Sequence, residues 1–320
     1  MLRTSAPLIG ALGLTRKVMA RSRSPNQAYA FVDTNIFLDF YRAKTEATLS
    51  LLEKLENVRD RIICTYQVEM EFLKNRQNLI LQISRDVPLD WNVQLPAVLA
   101  GTKLNSPLQR IRREITGRKK DLEKRVVGLL KDPAGNDQVY KSLEYIFGSS
   151  SGHVLTRDMD LRHKIKRLAW RRFILGYPPR KASDTSTGDA LNWEWIVHCG
   201  KALPGRFYIV SRDSDFGAEF KGQCYLNDAL KKEFRERVGN KSIVYTTKLS
   251  EALRGLDVKV TQAEEDSERD AAKAGTAERR QIEQRIMQIG WNLTAADRNA
   301  AMHAIYPDLR VQFPEDERES

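Results

Sequence analysis

A handful of acidic residues sit where a folded chain could use them chemically. Asp33 ends the apolar run Ala30, Phe31 and Val32, which reads as a buried strand delivering a carboxylate at its C-terminal end. Asp213 and Asp215 lie just past a second such strand, Arg206–Ser211 (RFYIVS). Glu69 and Glu71 come early in a helix that follows the strand Arg61–Thr65 (RIICT). Asp189 opens a helix after the polar stretch SDTSTG. Ligands of parallel α/β sheets bind beyond the C-terminal strand ends, so these positions can converge there although remote in sequence. Clustered carboxylates repel one another unless something compensates. A hard cation such as Mg²⁺ compensates well, prefers oxygen ligands and bridges to phosphates. Two such ions can orient water and stabilise both oxygens of a phosphodiester displacement.

Each residue also has a plainer reading. Asp33 and Asn35 could cap a turn, as could Asp213 or Asp215. Asp189 could simply favour a helix dipole. Glu69 and Glu71 are about 200° apart on a helix, so only one of them can face a shared site.

The elements that must hold these acids alternate. After the first strand comes an amphipathic helix over Thr45–Val58, with Leu49, Leu52, Leu55 and Val58 near helical spacing. The strand at Arg61–Thr65 and a helix over Tyr66–Leu81 follow, an alternation that predicts a parallel α/β sheet. Residues 84–182 depart from this pattern. Pro88, Pro96 and Pro107 punctuate loops, and helices are expected over Leu108–Leu130, Gln138–Phe147 and Leu161–Ile174, so the stretch reads as a helical insertion. The pattern resumes with a helix over Gly188–His198, the strand Arg206–Ser211, a helix over Asp228–Val238, a last strand at Lys241–Tyr245 and a short helix from Ser250. Three regions are therefore expected: a flexible basic arm (1–27), an α/β domain carrying the insertion (28–256), and an acidic link with a small helical appendage (257–320), its helices over Ile282–Ile289 and Thr294–Ile305.

Charge is unevenly spread over the 320 residues. The net charge is +11, yet Gly255–Ser320 holds 9 basic and 14 acidic residues, which leaves +16 on the first 254. Such a field favours a polyanionic partner. Cys64, Cys199 and Cys224 are widely spaced, with no CxxC pair, which argues against zinc and for a reducing, cytoplasmic setting. No apolar run approaches the roughly 18 residues of a membrane helix, so no membrane partner is expected.

Four segments together resemble PIN-domain proteins, more closely the PIN-like group of larger bacterial proteins. They are VDTNIFLDFYR (Val32–Arg42), QVEMEFLKNR (Gln67–Arg76), TGDALNWEWI (Thr187–Ile196) and IVSRDSDFG (Ile209–Gly217), in the family's order. The resemblance covers roughly Tyr29–Leu256. It implies a Rossmann-like α/β/α fold with a central, mostly parallel sheet, and Mg²⁺- or Mn²⁺-dependent hydrolysis of RNA leaving 5′-phosphate and 3′-hydroxyl ends. It matches Asp33, Glu71, Asp189 and Asp213 to the family's acids and favours Glu71 over Glu69. Asp215 is an additional candidate ligand and Asp184 a reserve. Thr34, Asn35 and Ser211 could hold a carboxylate or water near the metal. None of His153, His163, His198 and His303 is required.

Three basic groups offer a substrate path: Arg112, Arg113, Lys119 and Lys120; Lys164, Arg167, Arg171 and Arg172; and Arg42, Lys74 and Arg76, nearest the motifs. Phosphate contacts of this kind position a strand without specifying its sequence. Tyr41, Trp170 and Trp193 are candidates to stack bases, although Trp193 and Trp195 on an apolar helix also read as core. The expected partner is RNA, with DNA second. The resemblance favours a homodimer, and the C-terminal segment could bind a regulatory protein. Toxin–antitoxin pairing, antiviral defence and RNA processing are the expected settings. The alternatives to an endoribonuclease are a structure-specific DNA nuclease and a nonenzymatic nucleic-acid-binding module. A phosphatase of another Rossmann-like family would want an acid where Asn35 stands, and no GxGxxG supports a nicotinamide enzyme.

Overall fold

A computed structural model describes residues 27–86, 105–179 and 187–276. Five strands form one wholly parallel sheet in the order β3-β2-β1-β4-β7. They are β1 (Ala28–Val32), β2 (Ile62–Thr65), β3 (Val154–Leu155), β4 (Arg206–Val210) and β7 (Ile243–Thr246). Every residue of β1 and β2 is buried, as expected of central strands covered on both faces by helices. The flanking helices are α1 (Thr34–Asp39), α2 (Glu46–Asn57), α3 (Tyr66–Asp86), α4 (Asn105–Lys131), α5 (Pro133–Asn136), α6 (Gln138–Phe147), α7 (Leu161–Leu175), α8 (Gly188–Ala202), α9 (Asp228–Val238) and α10 (Leu249–Gly255). An antiparallel hairpin, β5 (Gly217–Phe220) and β6 (Gln223–Leu226), follows β4. The α/β/α architecture expected from the alternation is therefore present.

Packing explains why α8 sits under the sheet. Trp193, Trp195, Ile196 and Val197 are all buried, so this helix is apolar nearly all round. Trp193 thus belongs to the core and cannot stack on a base. Charged side chains pair where α7, α8 and α9 meet: buried Arg172 pairs with buried Glu194 at 3.1 Å and with Glu233, and Arg237 pairs with Glu194 at 2.6 Å.

Several expectations change. Val154–Leu155 lies inside the stretch read as a helical insertion, yet it pairs with β2 and completes the sheet edge. Two residues are too few to show a period. Arg76 and Arg172, both read as phosphate contacts, are buried ion-pair residues at 3% and 5% exposure. Arg76 lies against Asp137 at 2.5 Å, and the Tyr41 hydroxyl donates to the same carboxylate, so Tyr41 is committed to this cluster rather than to bases. Residues 262–276, read as a polar link, form a helix, α11. Its buried positions Glu264, Glu268, Ala271 and Gly275 are spaced four, three and four apart and form one docking face. Glu264 binds Lys54 of α2 at 2.6 Å, and Glu268 accepts from the Leu249 and Ser250 amides at the start of α10. The charges that suggested a solvated link in fact pin this helix to the domain. The basic arm, Asp184 and the expected helices at 282–289 and 294–305 lie outside the described residues.

Candidate metal centre

Asp33 is the residue at which β1 gives way to α1. Its extended backbone makes it the N-cap, and one carboxylate oxygen accepts the Thr34 amide at 2.7 Å. The other oxygen accepts from the Asn35 side-chain amide and the Ser211 hydroxyl. Ser211 follows the neighbouring strand β4, so the parallel pairing of β1 with β4 brings the two together. The Ser211 hydroxyl oxygen also accepts the Asp213 amide at 3.0 Å, which fixes the turn that presents Asp213. Thr34, Asn35 and Ser211 thus orient carboxylates.

Glu71 reaches the same edge from α3. Its oxygens accept from Thr34 Oγ1 at 3.1 Å and from Gln67 Nε2 at 2.7 Å. Gln67 is a helical i−4 neighbour with no role foreseen from sequence, and that spacing was the available signal. Glu69 does not line this pocket and lies toward Cys64. Asp189 arrives in the first turn of α8. A Cβ on the preceding Gly188 would lie 2.7 Å from Glu71 Oε1 and 3.0 Å from Gln67 Nε2, so glycine is what lets α8 approach α3. Gly188→Ala is expected to displace the Glu71 carboxylate and lower activity roughly 10–100-fold with little loss of thermal stability. Turnover and melting temperature measured on the same preparation check this.

Asp33, Glu71, Asp189 and Asp213 line one cavity of about 180 Å³, together with Thr34, Asn35, Leu38 and Asn75. Asn75 was not anticipated, although it stands one helical turn beyond Glu71. Among the described residues no basic side chain lines this cavity. Asp215 belongs to a second grouping: Asp189, Asp213 and Asp215 can each offer an oxygen within 4.8 Å of the others. Asp189 and Asp213 therefore belong to both groupings.

The electrostatics follow from this crowding. Burial, opposed by the Ser211 hydrogen bond and aided by Glu71 and Asp213, raises the Asp33 carboxyl to about 6. Burial first, then repulsion from Asp33, Asp213, Glu71 and Asp215, raises Asp189 to about 8. An all-oxygen donor set of clustered carboxylates fits a hard divalent cation better than a soft, thiolate-seeking one.

The PIN domain family matches residues 30–216, more than half of the chain. The chain belongs to the PIN domain family. No curated protein and no solved structure matches it. PIN domains have a nuclease-type fold and usually bind divalent metal ions through acidic residues, and this one carries a carboxylate cluster at its sheet edge. No helix among the described residues is long and apolar enough to cross a membrane.

Proposed function

We propose that this PIN-domain protein is a Mg²⁺- or Mn²⁺-dependent endoribonuclease. The observation that carries the reading is the convergence of Asp33, Glu71, Asp189 and Asp213 in one small cavity. These four, with Asp215, are the residues we assign to hold metal. When bound there, a divalent ion supplies Lewis acidity to the scissile phosphate and to the attacking water. The chain's own part is positioning. Ser211 and Asn35 hold Asp33, and Thr34 and Gln67 hold Glu71 from opposite sides, so little reorganisation remains when a phosphate arrives. At about 180 Å³ the cavity suits a phosphate and a few waters rather than a whole nucleotide, so bases must lie outside it.

The preference for RNA rests on the family resemblance and on the +11 charge, which any polynucleotide would satisfy. Three thiols, all free, support a cytoplasmic setting in toxin–antitoxin pairing, defence or RNA processing. The test is cleavage of labelled single-stranded RNA, structured RNA and flap DNA in EDTA, Mg²⁺ and Mn²⁺. The expected result is metal-dependent cutting of RNA. Selective flap cleavage would replace the substrate with DNA. Tight binding without cutting under any metal would favour a binding module.

A further inference from the structure

The helix α4 is unlike every other element of the sheet's surroundings. It runs for 27 residues, a length of about 40 Å, yet no residue from Pro107 to Lys131 is buried. Its sequence holds nine basic residues and three acidic ones. At 100° per residue the half-buried Leu108, Ile115, Leu122, Val126 and Leu129 fall together on one side. Arg113, Lys120, Lys124 and Lys131 fall on the opposite side, all exposed, in a row about 27 Å long. A Cβ on Gly117, at the flank of this row, would meet nothing within 4 Å, so that side is open to solvent.

The charge in the row is not spent within the domain. Arg113 and Lys120 make no ion pair among the described residues, and Lys124 reaches only Asp121, at 3.9 Å in an exposed i,i+3 pair that is weak. Arg112 and Arg118 beside them are likewise exposed and make no ion pair among the described residues. The root of the helix, by contrast, is held firmly. Arg76 of α3 donates to the Leu129 carbonyl at 2.7 Å, and Arg125 donates to the Asn136 carbonyl at 3.1 Å. Arg76 stands five residues beyond Glu71 on α3, a rise of roughly 7–8 Å. The row is therefore anchored to the element that carries one of the pocket's acids.

The composition of α4 says what would lie along it. It contains no Phe, Tyr or Trp, so it offers unpaired bases nothing to stack on. A protein partner would need an apolar centre on the same side, and only Val127 interrupts the cations there. What remains is attraction to a regular array of phosphates, which carries no sequence information. That array is denser in a duplex than in a single strand, and each contact with it releases more counterions. The helix is also close in length to one turn of a nucleic-acid duplex, about 34–36 Å.

We propose that α4 is a docking rail for the double-stranded part of an RNA, a stem whose backbone lies along Arg113, Lys120, Lys124 and Lys131. The proposal deepens the endoribonuclease reading and rests on it for what happens at the acidic pocket, but binding is measured apart from cutting. The probes are a labelled RNA hairpin with a stem of about 16 base pairs and an unpaired RNA of equal length. Fluorescence anisotropy is read in EDTA on the full chain carrying Asp189→Asn. The hairpin is expected to bind more tightly than the unpaired strand. Adding Arg113→Ala, Lys120→Ala and Lys124→Ala together should weaken hairpin binding at least about tenfold at 0.1 M salt and reduce the slope of log K against log salt by about 2–3. The melting temperature should stay as it was, since these side chains are exposed and alanine favours a helix. Lys120→Glu alone should reproduce part of the loss and Lys120→Arg none of it. In the chain with Asp189 intact, the triple variant should cut the unpaired RNA at the wild-type rate and show a raised KM for the hairpin. Hairpin affinity and salt slope unchanged by these substitutions would overturn the proposal, as would equal binding of the two RNAs; persistent cutting in either case would leave the nuclease standing. Hairpin binding that depends on the row, in a protein that cuts no RNA, would uphold the rail and remove the nuclease.

Discussion

Asp189→Asn is expected to lower metal-dependent cleavage by about 10²–10³-fold or more and, in EDTA, to make the protein more stable. The first effect follows from losing a carboxylate shared by both acidic groupings, equivalent to about 3–4 kcal/mol of transition-state stabilisation. The second follows from the crowding that raises its carboxyl to about 8. The folded chain holds that proton between the ordinary value of 3.8 and about 8, whereas the unfolded chain releases it. Unfolding therefore releases a proton in this window, and stability falls as pH rises through it. Asp33 contributes in the same direction up to about pH 6. In EDTA the wild-type melting temperature should drop between pH 5 and 8, and added Mg²⁺ should restore it, with more effect at the higher pH. Asp189→Asn at pH 8 should melt about 2–8 °C higher than wild type, if about 1–2 kcal/mol of repulsion is relieved at about 2–4 °C per kcal/mol. A variant that loses activity but melts lower in EDTA, with no pH trend in wild type, would remove Asp189 from the metal centre.

Arg76→Ala is expected to cost about 3–5 kcal/mol of folding stability, read from the urea midpoint at unchanged slope. Arg76 is 3% exposed, and its guanidinium contacts the Asp137 carboxylate at 2.5 Å, the Tyr41 hydroxyl at 2.9 Å and the Leu129 carbonyl at 2.7 Å. It lies 5.3 Å from the centre of the Tyr140 ring. Asp137 in turn caps α6 through the Tyr140 amide. One side chain thus joins α3, the end of α4, α6 and the short turn after α1. Truncation leaves the Asp137 charge buried without its partner. Arg76→Lys should recover little, because an ammonium cannot satisfy the same fork of acceptors. Replacing Arg76 and Asp137 together with apolar residues should recover part of the loss, since no charge is then stranded. A variant of ordinary stability with weakened RNA binding would return Arg76 to the substrate path.

Periodicity and strand-end acids made most of this protein legible. Gln138–Phe147 and Asp228–Val238 fold with the bounds their patterns indicate, because a buried apolar stripe with polar flanks specifies a helix locally. Asp33 and Asp213 could be placed at one sheet edge because buried parallel strands are apolar runs whose C-terminal ends share that edge. The hairpin at Gly217–Leu226 was not legible: Lys-Gly makes its turn rather than Asn-Gly or Asp-Gly, and its burial alternates only weakly. Basic residues were the least readable class. Arg76, Arg172 and Lys248 look alike as letters, yet the first two are buried ion-pair partners and the third is exposed.

By itself, then, the sequence determined the alternation of the four longer parallel strands with helices, the family, and which segments bring carboxylates to the sheet edge, since these depend on local pattern and strand direction. Only the tertiary structure decided that Glu71 rather than Glu69 faces Asp33, that Gly188 must be small, and that 262–276 docks as a helix. Each of these depends on which side chain meets which across elements distant in sequence, and a charge is fixed as structural or functional only by the neighbour it finds there.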